Sequence, residues 1–74
     1  MIRGIREVEI SDGMIRLGQL LKLAGLAGSG AEAKALLAEG GVTVNGEPEN
    51  RRGRQLHAGD LVAYGDEQVR VAVK

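Results

Sequence analysis

Residues 29–46, SGAEAKALLAEGGVTVNG, leave little freedom in how they can fold. Ser29 and Glu32 stand at capping-box spacing, where the Ser hydroxyl takes an orphan helix N–H and the Glu side chain reaches back to the cap. Ala33, Leu36 and Leu37 fall on one face of the helix that follows, and Gly40-Gly41 stop it where left-handed backbone is needed. Val42 and Val44 flank Thr43 with strand periodicity, and Asn45-Gly46 turns the chain back as a tight hairpin. Lys34 stands on the other side of that helix, between Gly30 and Ala38, an exposed cation with small neighbours. It lacks a structural duty, which makes it a binding candidate.

A chain of 74 residues is near the size at which one aliphatic core barely stabilises itself. With no cysteine there is neither a disulfide framework nor a thiolate site, and His57 alone cannot build a zinc site. Neither metal nor cofactor is expected. No apolar run approaches the ~20 residues that span a bilayer. The first ten residues, MIRGIREVEI, alternate charge with apolar side chains and lack a signal-peptide core. A soluble, cytoplasmic protein with no membrane contact is expected, folded as a single domain over 1–74 and monomeric.

Ten basic and ten acidic residues cancel, so net charge makes no case for a polyanionic partner. Distribution does more. Residues 13–59 hold six basic against four acidic residues, with Arg51, Arg52 and Arg54 in one tight group. A local basic surface can hold phosphates on a neutral protein, because distant charges are screened beyond about 8 Å in physiological salt.

Glu7–Ile10 alternates as a strand, with Ile2 and Ile5 as lead-in residues, and Ser11-Asp12-Gly13 is a turn. Leu17, Leu20, Leu21 and Ala24 occupy i, i+3, i+4 and i+7, which predicts an amphipathic helix of about three turns closed by Gly25, with Leu26 folding back over its end. The short Ala27-Gly28 connection makes the two helices neighbours. Glu47-Pro48-Glu49 is extended but unsuited to a central strand, Asn50–Arg54 is a polar loop, and Gln55-Leu56 is a short extended piece. After the turn His57–Asp60, Leu61–Tyr64 and Gln68–Val73 read as strands joined at Gly65-Asp66. The fold class that follows is α+β: a helical hairpin packed on a small, twisted, mostly antiparallel sheet.

Catalysis finds little support. Ser11, Ser29 and Thr43 are better explained as turn, cap and strand residues, and His57 lies in a surface turn, so no nucleophile–base pair is visible. The glycines form neither a dinucleotide fingerprint nor a P-loop. Gly28-Ser29-Gly30 at a helix start could hold a phosphate, a weak signal because loop and cap explain it equally. Recognition of nucleic acid is more coherent. Arg16 precedes the first helix, Ser29 and Gly30 open the second, Lys34 follows one turn on, Asn45 and Gly46 form the turn, and Arg51, Arg52 and Arg54 come next. Guanidinium forks suit phosphate oxygens. Tyr64 is the single aromatic, which argues against readers that stack bases on exposed rings. Gln19 and Lys22 read as solvated helix face.

Residues 15–64 resemble the S4 RNA-binding domain. The motifs are Arg16-Leu17 at a helix start, Ser29 with Ala33-Lys34 in the second helix, Gly40-Gly41-Val42-Thr43-Val44-Asn45-Gly46, and Gly59-Asp60 before a strand. The small stand-alone bacterial S4-domain proteins are the most similar. The resemblance implies a helix pair and twisted sheet that bind structured RNA, ribosomal or transfer, with Arg16, Ser29, Lys34, Asn45 and Gly46 at the site and no catalysis. It also leaves open an accessory or protein-interaction role beside the ribosome or an RNA-modification enzyme. Two positions depart from the family pattern: Gly30 stands where many members have Arg, and Gly18 where Asp is common. Arg51, Arg52 and Arg54 are expected to supply the missing charge, so replacing Arg51 and Arg52 by Glu should abolish binding and leave the fold intact.

Overall fold

A computed structural model of the chain describes residues 4–74. In chain order the elements are β1 (Ile5–Ile10), β2 (Ile15–Arg16), α1 (Leu17–Leu23), α2 (Gly30–Glu39), β3 (Val42–Val44), β4 (Glu47–Pro48), β5 (Gln55–Leu56), β6 (Leu61–Tyr64) and β7 (Glu67–Val73). Two helices pack on a five-stranded sheet of order β1-β7-β6-β3-β4, an α+β fold as expected. The pairings are antiparallel except β1 with β7, which run parallel from Ile5 opposite Gln68 to Ile10 opposite Val73. Ile5 thus belongs to β1, and Ile2 lies outside the described residues.

The core is aliphatic because little else was on offer. Val44, Val62 and Val69 sit side by side across three strands, and Leu17, Leu20, Leu21, Ala33 and Leu37 from the helices join the same buried cluster. Each large aliphatic side chain so buried is worth about 1.5–3 kcal/mol, so this layer holds helices to sheet.

Helix α1 buries the stripe Leu17, Leu20, Leu21 and Ala24, but it has seven residues, two turns rather than three. Gly25 ends it at φ 78°. Its N–H bonds the Lys22 carbonyl at 3.0 Å and the Leu26 N–H bonds the Leu21 carbonyl at 2.9 Å, a Schellman pair that folds Leu26 back on the core. At α2, Ser29 Oγ accepts the Glu32 N–H at 3.1 Å. The expected return bond lands one residue early: Glu32 Oε2 accepts the Gly28 N–H at 2.7 Å, not that of Ser29. Glycine permits this, since a Cβ on residue 28 would lie 3.2 Å from that oxygen.

Asn45 and Gly46 adopt φ 53° and 85°, the type I′ turn that matches strand twist, and β4 carries Pro48 at the sheet edge, where its missing N–H is not needed. The pairing of β2 with β5 was not expected: Ile15 lies opposite Leu56 and Arg16 opposite Gln55. This two-residue ribbon clips the start of α1 to the end of the arginine loop.

Candidate nucleic-acid interface

A helix start leaves its first N–H groups without intrahelical partners. In α1 two of them are taken by the arginine loop: Leu17 N–H donates to the Arg54 carbonyl at 2.9 Å and Gly18 N–H to the Arg52 carbonyl at 3.0 Å. Arg16 adds a side-chain bond from Nη1 to the Gly53 carbonyl at 3.2 Å. Residues 50–54 are therefore the cap of α1, and Arg16 and Arg52, 36 positions apart in sequence, end up beside each other.

Between this cap, α1 and the start of α2 runs an open groove of about 300 Å³. Arg16, Lys22 and Arg52 line it with Gln19, Gly30 and Gly53, and no carboxylate is among its lining residues. Three cations around so small a space favour an anion, and the glycines let a ligand approach backbone. A larger concavity of about 960 Å³ on the far side of Gln19 and Lys22 mixes Glu9 and Asp12 with Lys22 and Lys74, a lining less suited to a polyanion. Gln19 and Lys22, read from sequence as solvated surface, are exposed and also wall the groove.

Of the other candidates, Gly30 lines the groove, whereas Ser29, Lys34, Asn45 and Gly46 are outside its lining. Lys34 is exposed one helical turn beyond Gly30. The Ser29 hydroxyl is engaged as the α2 cap. Asn45 is closed on both sides of its amide: Oδ1 accepts the Leu61 N–H at 2.9 Å, and Nδ2 donates to Asp60 Oδ1 at 3.1 Å. Burial by itself would raise the Asp60 carboxyl. Hydrogen bonds from the His57 N–H and the Asn45 amide, with the charges of His57 and Arg54, outweigh it and hold Asp60 below its ordinary value.

The three arginines that look alike in sequence separate in the structure, and Glu49 is the reason. Its side chain is 6% exposed. Oε2 accepts from Asn50 N–H, Arg51 N–H and Arg51 Nε at 3.1, 3.1 and 3.0 Å. Oε1 accepts from Arg51 Nη2 at 3.1 Å and Arg54 Nη1 at 2.8 Å. The side-chain bonds of Arg51 and Arg54, then the Arg51 N–H, hold the Glu49 carboxyl far below the usual carboxylate range, and the same contact raises Arg51. Arg52 has no ion-pair partner among the described residues. Glu49 was missed from sequence, although an acid two to five positions before a basic cluster was the available signal. It also alters one expectation: Arg51→Glu would set a second carboxylate against Glu49 and unsettle the loop.

The family model described as S4 domain matches residues 8–72. The chain belongs to the S4 domain family. It is 51% identical over 65 residues to RlbA of Bacillus subtilis (strain 168), named a probable ribosome maturation protein; the alignment covers 84% of this chain and 92% of RlbA. It is 42% identical over 57 residues to YbcJ of Escherichia coli (strain K12), whose name proposes RNA binding, covering 77% of this chain and 81% of YbcJ. A tyrosine–tRNA ligase of Ruegeria pomeroyi is 49% identical over 45 residues, 61% of this chain but 11% of the ligase.

The S4 match is wider than the 15–64 motif and takes in half of β1 and most of β7, which form the parallel pair. Both departures from the S4 pattern fall on the groove. Gly30 faces open space, where an added Cβ would meet nothing within 4 Å, and a Cβ on residue 18 would rest 3.5 Å from the Arg52 side chain. Neither glycine puts a side chain into the groove, whose charge comes from α1 and its cap.

Proposed function

We propose that this S4 domain is a non-catalytic, cytoplasmic RNA-binding protein that grips the phosphate backbone of a structured RNA, ribosomal or transfer. The observation that carries the reading is the groove in which Arg16, Lys22 and Arg52 meet with no acid in the lining. Arg16 and Arg52 present planar donor forks, and Lys22 a point charge. Phosphate contacts position a protein without reading sequence, so selection rests on RNA shape. Tyr64 packs against the core with its ring beside Gly41, which leaves no exposed ring for stacking bases. The names of RlbA and YbcJ support an RNA partner, and RlbA, matched over 92% of its length, favours ribosomal over transfer RNA.

With about four to six phosphates neutralised, including those reached from Lys34, log Kd should change with log salt at a slope of about 3 to 5. The deciding experiment is fluorescence anisotropy with purified ribosomal RNA and transfer RNA fragments, comparing the wild type with the double variant Arg16→Glu, Arg52→Glu. Reversing both groove arginines should weaken binding on the order of a hundredfold, since like charges then face phosphates. Unchanged affinity in a variant with native circular dichroism would remove the groove from the reading. Binding insensitive to salt would favour a protein-docking role, for which Leu23, 58% exposed at the edge of the larger concavity, is the natural contact.

A further inference from the structure

We propose that Glu49 is a positioning residue for RNA binding. Its carboxylate commits Arg51 and Arg54 to building the loop and leaves Arg52 as the loop's phosphate-facing arginine. This rests on the RNA-binding reading above and assigns unequal roles to three neighbouring cations.

An acid inside a phosphate-binding surface is unfavourable unless it does something there. Glu49 accepts five hydrogen bonds, which exceeds the roughly four lone-pair directions of a carboxylate, so no acceptor capacity remains for solvent or ligand. Two guanidinium groups and one carboxylate leave a net charge of about +1 where the sequence suggests +2. Arg51 remains 71% exposed, so exposure alone would name it a binding residue. Its Nε and Nη2 fork is nevertheless engaged by Glu49, which lowers both its charge and its donors toward a phosphate.

The carboxylate also fixes backbone. It holds the Asn50 and Arg51 N–H groups, and the Glu49 N–H bonds the Val42 carbonyl at 3.0 Å, which anchors the loop's start to the sheet. From that anchor the loop delivers the Arg52 and Arg54 carbonyls to α1 and the Arg52 side chain to the groove. Glu49 itself is outside the groove lining. It acts through Arg52.

The test measures Kd against salt for a fluorescein-labelled RNA hairpin with Arg51→Ala, Arg52→Ala, Arg54→Ala and Glu49→Gln. Arg52→Ala should lower the salt slope by about one, the signature of one lost phosphate contact. Arg51→Ala and Arg54→Ala should weaken binding several-fold with the slope unchanged. Glu49→Gln should raise the slope by about one, because one guanidinium charge of the pair is no longer neutralised. A merely structural role would not move the slope upward. If Arg51→Ala or Arg54→Ala lowers the slope as much as Arg52→Ala, or folded Glu49→Gln leaves it unchanged, the inference is overturned. Should Glu49→Gln fail to fold, the three arginine variants decide alone. A wild-type chain that binds no RNA overturns the RNA reading itself; binding with the wrong slope pattern overturns only this assignment.

Discussion

The Asn45-Gly46 turn and the Asn50–Arg54 loop flank the same edge strand, and both carry polar side chains that read from sequence as candidates for RNA. They differ in where those side chains go. Asn45 turns its amide inward onto Asp60 and the Leu61 backbone, tying the β3–β4 hairpin to the start of β6. The loop directs Arg51 and Arg54 onto Glu49 and leaves Arg52 at the groove. A polar residue on the surface is available for binding only after the local backbone and its ionised neighbours have taken their share. The turn is a structural joint; the loop is a joint and a contact at once.

The largest effect that sharpens this contrast is on binding, from the loop side. Arg16→Glu with Arg52→Glu should lose on the order of a hundredfold in RNA affinity while the melting temperature falls by only about 4–8 °C, the cost of the lost Arg16–Gly53 hydrogen bond. Next comes the turn side, with the opposite profile. Asn45→Ala removes two hydrogen bonds and places alanine at φ 53°, where a side chain without a polar tip gains no local bond. The expected cost is about 2–3 kcal/mol, a fall of roughly 10–20 °C in melting temperature. RNA affinity of the folded fraction should change less than threefold. A tenfold loss of affinity with unchanged stability would reverse the assignment and make Asn45 a contact.

What could be read in advance divides along the same line. Ser29, Gly40-Gly41 and Asn45-Gly46 act on backbone within a few residues, so their cap, stop and turn were legible. The i, i+3, i+4 stripe of α1 was legible for the same reason. Glu49 was not, because its role depends on the curvature of a loop that bends two arginines onto one carboxylate. The β2–β5 ribbon was not, since two-residue strands carry no periodicity and Arg16 meets Gln55 only in the fold. Nor was the parallel β1–β7 pair, which joins the two ends of the described chain. The groove inherits both kinds of information: Arg16 and Arg52 were named one by one from sequence, and Gln19 and Lys22 were added by the fold.

A smaller effect separates the loop's electrostatics from its shape. Glu49 and Asp60 both sit below their ordinary values in the fold. The unfolded chain therefore binds more protons as pH falls, and stability is full above the unfolded carboxylate range and declines below it. Glu49 contributes from its ordinary 4.5 downward. Thermal melts of Glu49→Gln should lie below the wild type at pH 7 and converge with it as pH drops through that window, because the protonated wild type then resembles the variant. Parallel curves down to acid pH would show that the Glu49 ion pairs add nothing to stability.

The smallest expected difference is between two lysines. Lys22 lines the groove, whereas Lys34, favoured from sequence, stands outside its lining one turn beyond Gly30. If the groove is the binding centre, Lys22→Ala should lower the salt slope by about one. Lys34→Ala should lower it by less and weaken binding only a few-fold, as expected for a cation outside the groove lining in a solvent that screens charges beyond about 8 Å. Neither substitution should destabilise the fold, since both side chains are exposed on helices and alanine is the better helix former. Equal slopes for the two variants would extend the RNA footprint along α2 and make the groove one part of a longer track. A larger loss at Lys34 than at Lys22 would move the centre of the interface onto α2, and Arg52 would then become the peripheral contact.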